Sequence, residues 1–381
     1  MATPTLKDLA AATGVSISTV SRALANHPAI SPATTQKVKA AAEQLGYRPN
    51  AQARALRGSR SDAIGVVIPN LANPYFALIA AAIEAEAERV GIAAIMTTCS
   101  ESPKHLAKAL DALTWRQVDG IITVPVEGAE AALKDAAKSR PLLLIDRELP
   151  PFPAVASDPR PGMFAALTQL RQKGHRVVGY IPGPQQTSTG RQRLKVFRGA
   201  SSEFSTHYAQ GGFRRKDGYV GALELFEKGV TAIVAGDSMM TAGVLAACYN
   251  AGKAISEDIA LVGYDDLNLF RLQPVPISVV DQDMAALGRL AVQHLTKAIT
   301  HNTTPTGVKI PTSYIPAFPP PGSSPKGGSS RKSPIPPAAG RAGLRPSSPP
   351  RRPYFLGTAP SSRLVRVPLR RGYERQEGPR S

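Results

Sequence analysis

The sequence contains few of the residues on which disulfide-stabilised, metal-binding and membrane proteins depend. Its 381 residues include two cysteines and six histidines, and neither set has the spacing of a disulfide framework or a metal site. No apolar stretch has the length of a membrane span, and no signal peptide is recognisable. These absences predict a cytoplasmic chain in a reducing compartment, with no metal and no membrane partner.

The signatures of nucleotide-dependent enzymes are also missing. The first strand-like run, IGVVIPNLANP (64–74), carries proline and asparagine where a dinucleotide-binding strand is followed by glycines. The stretch GPQQTSTG (183–190) follows another strand-like run but lacks the Lys-Ser/Thr pair of a phosphate loop. No Ser/His/Asp set is recognisable, so we expect neither a cofactor nor catalysis.

Positive charge is abundant but unevenly distributed. Residues 1–60 carry eight Lys or Arg against two acids, and residues 63–316 are nearly balanced at 25 against 23. Residues 317–381 hold 14 of the 35 prolines, thirteen basic residues and two acids. This last segment has too few apolar runs for a core, which predicts a disordered tail. We interpret it as an added or out-of-frame extension without function, and the alternative is a nonspecific nucleic-acid arm.

The first 46 residues have the pattern of a helix-turn-helix domain. Apolar residues recur at helical spacing up to Gly14, which suits the positive φ of a tight turn. Ser16 can cap a second helix that runs to about Leu24, and Ser31, followed by proline, can begin a third that stops at Gly46. A three-helix domain without a DNA role is the alternative, but the local excess of positive charge favours phosphate binding.

The second of these helices carries the residue types that read base edges. Its N-terminal residues would lie in the major groove. Arg22 can bond a guanine edge through two N–H groups, Ser18 can donate or accept, and Ile17 can contact a thymine methyl group.

Residues 47–62 have the composition of a hinge that inserts into the minor groove. Asn50 can cap a short helix from Ala51 to about Arg57, in which Leu56 lies beside two arginines. A leucine in this setting can wedge between base pairs while the arginines hold the backbone or the groove floor. The alternative is a linker that is helical only through its alanine content.

Residues 63–316 alternate strand-like and helical runs, which predicts parallel sheets covered by helices on both faces. About 250 residues exceed one comfortable sheet of this kind, so we expect two lobes with a cleft. Examples of the predicted helices are Tyr75–Val90 and Leu106–Arg116. The predicted strands are Ala63–Ile68, Ile92–Thr97, Gly120–Val124, Leu142–Ile145, Val177–Ile181, Ala232–Ala235 and Ile259–Tyr264.

Polar and aromatic side chains follow these strands, where ligands bind in such folds. Carboxylate, guanidinium and amide groups can pair with the vicinal hydroxyls of a sugar, and flat rings can cover its C–H faces. The candidates are Tyr75, Phe76, Asp146, Arg147, Arg191, Asp265 and Gln282. Less functional alternatives remain open: Asp237 can be a helix cap, Asp265 and Asp266 can cap a turn, Arg191 can form a structural ion pair, and Phe76 can belong to the core.

Several motifs in the same order resemble the lactose-repressor and galactose-repressor family of bacterial transcription regulators, over roughly residues 5 to 316. They are TLKDLAAATGVSISTVSRAL (5–24), LGYRPNAQARALR (45–57), IGVVIPNLANPYF (64–76), VDGII (118–122), LIDRELP (144–150) and LVGYDD (261–266). The resemblance implies an all-α helix-turn-helix head (1–46), a hinge helix and linker (47–62) and a two-lobed α/β domain like the periplasmic binding proteins (63–316).

The resemblance also implies the partners. These are a double-stranded, near-palindromic DNA operator, a small-molecule effector between the lobes, and a second copy of the chain in a homodimer, with a tetramer as the alternative. The residues expected at DNA are Thr5, Ser16, Ile17, Ser18, Thr19, Ser21, Arg22, Asn26, Asn50, Ala53, Leu56 and Arg57. The seven cleft candidates match motif positions of the related ribose-binding proteins.

Two positions depart from the family pattern. Gly236 stands where the ribose-binding proteins usually have asparagine, which removes one sugar-binding amide. The segment GASSEFSTHYAQGGF (199–213) is shorter and less apolar than usual, so it either exposes part of the second lobe or reshapes one wall of the cleft.

Three functions compete at this point. The first is a regulator, expected to repress carbohydrate or nucleoside catabolism genes and to respond to a pentose such as ribose or to a nucleoside, with a purine-type corepressor as the variant. The second is a sugar-binding transport protein, which the head and the missing signal peptide oppose. The third is a Rossmann-type enzyme, which the missing glycine fingerprint opposes.

Overall fold

The computed structural model describes residues 4–24, 27–47 and 60–317. Five residues expected at DNA lie outside the described residues, namely Asn26, Asn50, Ala53, Leu56 and Arg57. The expected hinge helix and the Pro/Arg-rich segment from residue 318 lie outside them as well.

The head consists of three helices, as predicted. They are α1 (Leu6–Thr13), α2 (Ile17–Leu24) and α3 (Pro32–Leu45). Gly14 and Gly46 end the first and third helices with φ angles of 67° and 65°, a conformation that glycine adopts without steric cost. Leu9, Val20 and Val38 are fully buried between the helices, so each helix contributes to one small core.

The rest of the described chain forms two six-stranded sheets, which confirms the prediction of a two-lobed α/β domain. The first sheet has the order β11-β5-β4-β3-β1-β2 and is parallel throughout. The second has the order β12-β10-β9-β8-β6-β7, and only β12 runs antiparallel. The strands are β1 (Ala63–Ile68), β2 (Ala93–Thr98), β3 (Gly120–Thr123), β4 (Leu142–Ile145), β5 (Ala154–Asp158), β6 (Val177–Ile181), β7 (Ser205–Tyr208), β8 (Ala232–Ala235), β9 (Ala260–Tyr264), β10 (Ser278–Asp281), β11 (Val308–Pro311) and β12 (Ser313–Ile315).

Helices connect these strands and cover the sheets. They are α4 (Pro74–Arg89), α5 (Pro103–Trp115), α6 (Glu130–Ser139), α7 (Arg160–Gln172), α8 (Ser188–Ala200), α9 (Arg215–Glu227), α10 (Ser238–Asn250), α11 (Asn268–Arg271) and α12 (Met284–His301). The central strands β3, β4 and β8 are fully buried, as a sheet with helices on both faces requires.

The chain passes between the two sheets at three places, after β5, after β10 and after β11. The first and third crossings are tied together, because Thr312 Oγ1 donates to the carbonyl oxygen of Asp158 at 2.8 Å and accepts from the amide of Gly162 at 3.1 Å. These two crossings therefore lie side by side where the chain joins the two lobes.

The sequence pattern located seven strands to within one residue at either end but missed β5, β7, β10, β11 and β12. Two of the missed strands, β11 and β12, are short edge strands with partly exposed, mixed sequences. The strand β7 (STHY) is also at an edge and has no fully buried residue. Such strands lack the continuous apolar run of a buried parallel strand.

Candidate functional site

The two lobes enclose a cleft of about 810 Å³ at the carboxyl ends of their strands. Six of the seven predicted side chains line it: Tyr75, Phe76, Asp146, Arg147, Asp265 and Gln282. All six are at most 5% exposed, so they form a buried floor. The aspartates and the glutamine follow β4, β9 and β10 directly, which explains their convergence.

The first lobe contributes a tyrosine–carboxylate–arginine group. The hydroxyl of Tyr75 donates to Asp146 Oδ1 at 2.6 Å, and Arg147 makes a two-pronged ion pair with Glu101 at 2.7 and 2.8 Å. Burial, together with the Asp146 and Asp265 carboxylates, raises the pKa of Tyr75 well above its ordinary value. Tyr75 therefore stays a hydrogen-bond donor, and the second oxygen of Asp146, Oδ2, lies 3.6 Å from Arg147 Nε.

The second lobe contributes a connected network around Gln282. Its amide nitrogen donates to Asp265 Oδ1 at 2.6 Å, and its oxygen accepts from Arg193 at 2.8 Å and from Ser157 at 2.6 Å. Burial raises the pKa of Asp265 to about 6, although Arg193 and the hydrogen bonds from Gln282 and Ser238 oppose the shift. Ser157 belongs to the first sheet, so this network also joins the lobes.

Arg193 is the cleft arginine that sequence reasoning missed, and Arg191 is not in the cleft. The guanidinium of Arg191 donates to the carbonyl oxygens of Gln185 and Gln186, and its side chain is exposed. Arg193 is 4% exposed, donates to Gly236 O at 2.7 Å and lies 4.1 Å above the ring of Tyr264. Residues two apart on a helix point to nearly opposite sides, so only one of the two can face inward.

The helical spacing of buried positions in α8 could have identified Arg193 from the sequence. The buried positions of α8 include Gly190, Arg193, Leu194 and Phe197, which have the spacing of one helix face. Arg191 falls outside this stripe. The space beside Gly236 is closed by other atoms, because a Cβ there would lie 2.8 Å from the carbonyl oxygen of Ile181.

Asp237 caps a helix, which is the alternative role named in the sequence analysis, and it also lines the cleft. Its Oδ1 accepts from the amide of Met240 at 2.7 Å, which caps α10. Burial raises its pKa to about 7, and the Asp265 carboxylate adds to the shift while Met240 and Arg193 oppose it.

The segment that departs from the family pattern forms one wall of the cleft. After β7, residues 210–214 line the cavity, and Phe213 lies with its ring centroid 5.3 Å from the Arg147 guanidinium of the other lobe. A Cβ atom on Gly183 would lie 2.6 Å from the Phe213 ring, so the ring packs directly against that glycine. The segment therefore contributes to one wall of the cleft.

In the head, the described residues expected at DNA lie at the start of α1 and along α2. Thr5 forms a capping box with Asp8, whose carboxylate accepts from the Thr5 hydroxyl at 2.7 Å. The Ser16 hydroxyl accepts from the Thr19 amide at 3.1 Å. Ile17 is 45% exposed, Ser18 and Arg22 are exposed, and Ser21 is half-buried, whereas Val20 and Ala23 are buried. The helix thus presents its base-reading candidates away from the core.

Neither a metal-binding cluster nor a membrane-spanning helix occurs in the described ranges. No cluster of three or more His, Cys, Asp or Glu side chains in them has the arrangement to hold a metal ion. None of the helices in those ranges is both long and apolar enough to span a membrane.

Two family models match the chain. Residues 5–50 match the model for bacterial regulatory proteins of the lacI family, and residues 167–316 match a periplasmic binding protein-like domain. Their order along the chain is the order of the helical head and the two-lobed domain.

Curated relatives cover the same region. The regulator DegA of Bacillus subtilis is 30% identical over 74% of this chain and 88% of its own length. The repressor PurR of Haemophilus influenzae is 29% identical over 78% of this chain and 91% of its own length. The ribose operon repressor of Escherichia coli is 27% identical, over 78% and 94%.

Solved structures of lacI-family proteins have a similar fold. The lac repressor dimer bound to operator and the anti-inducer ONPF has a TM-score of 0.74 at 25% identity, over 83% of this chain and 98% of that one. A probable LacI family transcriptional regulator from Corynebacterium glutamicum has a TM-score of 0.61 at 39% identity, over 66% of this chain and 96% of that one. The chain belongs to the lacI family of bacterial regulatory proteins, which are DNA-binding transcriptional regulators.

Proposed function

We propose that this regulator is a repressor that binds a palindromic operator as a dimer and responds to a pentose or a nucleoside in the interlobe cleft. Its targets would be genes of carbohydrate or nucleoside catabolism. The observation that carries the effector part is the buried floor, where Asp146, Asp265, Arg193 and Gln282 present paired acceptors and donors. A ring with vicinal hydroxyls can use the remaining donor and acceptor capacity of these groups, whereas an apolar ligand would displace water from them without supplying a hydrogen bond.

The head supports operator binding through its exposed residues. Ile17, Ser18 and Arg22 would read base edges from the major groove. Contacts to the DNA phosphate backbone would help to position α2, and the candidates for them are Thr5, Ser16, Thr19 and Ser21. Family resemblance alone supports five further DNA contacts, namely Asn26, Asn50, Ala53, Leu56 and Arg57.

Exposed apolar side chains on the two-lobed domain support association with a second copy. Leu78, Tyr249 and Leu272 are between 45% and 82% exposed. Large apolar groups in water favour burial in an interface. Two heads held by such a dimer would contact half-sites one or two helical turns apart.

Communication between the cleft and the head would pass through α12 and the segment before β1. The helix begins next to Gln282, and its 18 residues span about 27 Å. Near its other end, Ile299 O accepts from Arg60 at 2.8 Å. Asp119 accepts from the Ser61 and Asp62 amides at 2.8 and 2.9 Å. A change in lobe closure would thus reach the residues that follow the hinge.

Operator selection tests the proposal. The purified full chain is incubated with random-sequence duplexes, and bound DNA is amplified and sequenced over several rounds. We expect a two-fold symmetric site, bound at least about 1,000-fold more tightly than random DNA. Recovery of no preferred sequence, with and without added pentoses and nucleosides, would contradict the proposal.

A further inference from the structure

The cleft is larger than a single sugar ring requires. If each non-hydrogen atom takes at most the ~30 Å³ of a liquid water, a pentose of about ten such atoms fills no more than ~300 Å³. The cleft offers about 810 Å³. More than half of it therefore stays open above a pentose seated on the floor, which is enough for a second ring.

The chemistry of the lining changes between the floor and the mouth. The floor groups are buried, charged or amide-bearing, and hydrogen-bonded to one another. The mouth adds Pro103, Pro184, Phe213 and Val220, which are all half-buried or exposed. A flat apolar face is the complement of this outer lining, whereas a second polyhydroxylated ring would place its hydroxyls against it.

The Phe213 ring is held in place from both lobes. It packs on Gly183 and lies 5.3 Å from the guanidinium of Arg147, which Glu101 fixes through two hydrogen bonds. An aromatic side chain held in this way loses little conformational freedom when a planar ring stacks on it. Ligand stacking at this position would also bring the two lobes together.

Two of the charged side chains at the mouth, Glu101 and Arg214, are paired within the protein, and two others, Glu127 and Lys216, carry opposite charges. Arg147 pairs with Glu101 at 2.7 Å, and Arg214 pairs with Asp217 at 3.1 Å. Gln186 and Gln210 also line the mouth, and carboxamides can read the donor and acceptor edge of a base. The outer part therefore suits an uncharged ring with a hydrogen-bonding edge better than it suits a phosphate.

We propose that the effector is a nucleoside, with its ribose on the floor and its base against Phe213. The inference rests on the proposed function and decides between the two effector classes named there. A nucleoside has about 17 to 20 non-hydrogen atoms, which occupy at most ~600 Å³ by the same measure and fit within the cleft.

Calorimetric titration of the intact chain tests the assignment. The probes are ribose, adenosine, guanosine, cytidine and uridine, together with the free bases and the nucleoside 5′-monophosphates. At least one nucleoside should bind 100-fold or more tightly than ribose, its free base and its monophosphate. Equal affinity for ribose and all nucleosides, or a preference for free bases or monophosphates, would overturn the proposal.

Variants locate the second ring. Phe213→Ala should weaken the preferred nucleoside about 5- to 150-fold, the range for one base–aromatic stack, and Phe213→Trp should restore the affinity. Phe164→Ala is the matched control, because Phe164 is 49% exposed and does not line the cleft. An unchanged nucleoside affinity in Phe213→Ala would overturn the placement of the base.

The two proposals fail in different ways. If the selected operator is released or bound more tightly with another compound while no nucleoside binds, the nucleoside assignment is wrong and the proposed regulator stands. If the chain selects no operator at all, the proposed function is wrong, whatever binds in the cleft.

Discussion

Replacement of Asp237 by asparagine should make the protein more stable near neutral pH. Asp237 is 7% exposed, lines the cleft and caps α10 through its Oδ1. Asparagine can accept the same hydrogen bond from Met240, and it is as good an N-cap as aspartate. The substitution therefore removes the buried charge and keeps the local structure.

The size of the effect follows from the pKa of Asp237. Burial raises it from 3.8 to about 7 in the folded protein. Between these values the folded chain binds a proton that the unfolded chain has lost, so the stability of the wild type falls as the pH rises from 4 to 7. Each pH unit contributes ~1.4 kcal/mol, so the loss amounts to ~4 kcal/mol above pH 7. The Asp237→Asn variant does not have this loss.

Urea unfolding followed by circular dichroism at pH 4, 5.5, 7 and 8.5 measures the difference. Asp237→Asn should match the wild type within ~0.5 kcal/mol at pH 4 and exceed it by up to ~4 kcal/mol at pH 8.5. Asp135→Asn is the matched control, because its side chain is 73% exposed, and it should shift stability by less than ~0.5 kcal/mol. A difference between Asp237→Asn and wild type that does not change with pH would refute the reasoning.

Five further substitutions, one of them a control, test the site and the head. Arg193→Met should weaken effector binding about 30-fold or more in calorimetry, since a buried partner of polar groups is lost, whereas surface Arg191→Ala should leave it unchanged. Arg22→Ala should cost ~1–3 kcal/mol on the selected operator and relax one base position; equal weakening on all sequences would make it a phosphate contact. Leu56→Ala should lower affinity for the selected operator, and unchanged affinity would contradict the wedge. Asp119→Ala should reduce the change in operator affinity that the effector causes, while the affinity for the effector itself stays constant. If the effector changes operator affinity as much as in the wild type, the contact of Asp119 with Ser61 and Asp62 does not carry the signal.

Much of the fold could be predicted because its signals are local. The caps of α2 and α3, the glycines at positions 14 and 46 and the apolar runs of β1, β4, β6 and β8 each follow from short-range sequence rules. The convergence of Asp146 and Asp265 could be predicted as well, because strand ends in parallel sheets meet at one edge, whereas β10, the strand before Gln282, was not predicted.

The remaining features depend on tertiary context. The choice between Arg191 and Arg193 needs the rotation of α8, which only its buried stripe reveals. The contact between Phe213 and Arg147 joins residues from different lobes, and no spacing in the sequence indicates it. The edge strands β7, β11 and β12 are short and gain their pairing from neighbours, so their composition carries little signal.

The central claim is that a small molecule in the cleft sets the affinity of the head for its operator. The direct measurement is fluorescence anisotropy of the labelled, selected operator with the full chain, titrated with the ligand that calorimetry identifies, for wild type and Arg193→Met. We predict that the ligand changes the operator Kd of the wild type at least 5-fold, a typical coupling, and leaves that of the variant unchanged at the same concentration. An operator Kd in the wild type that does not respond to a saturating ligand would contradict the account.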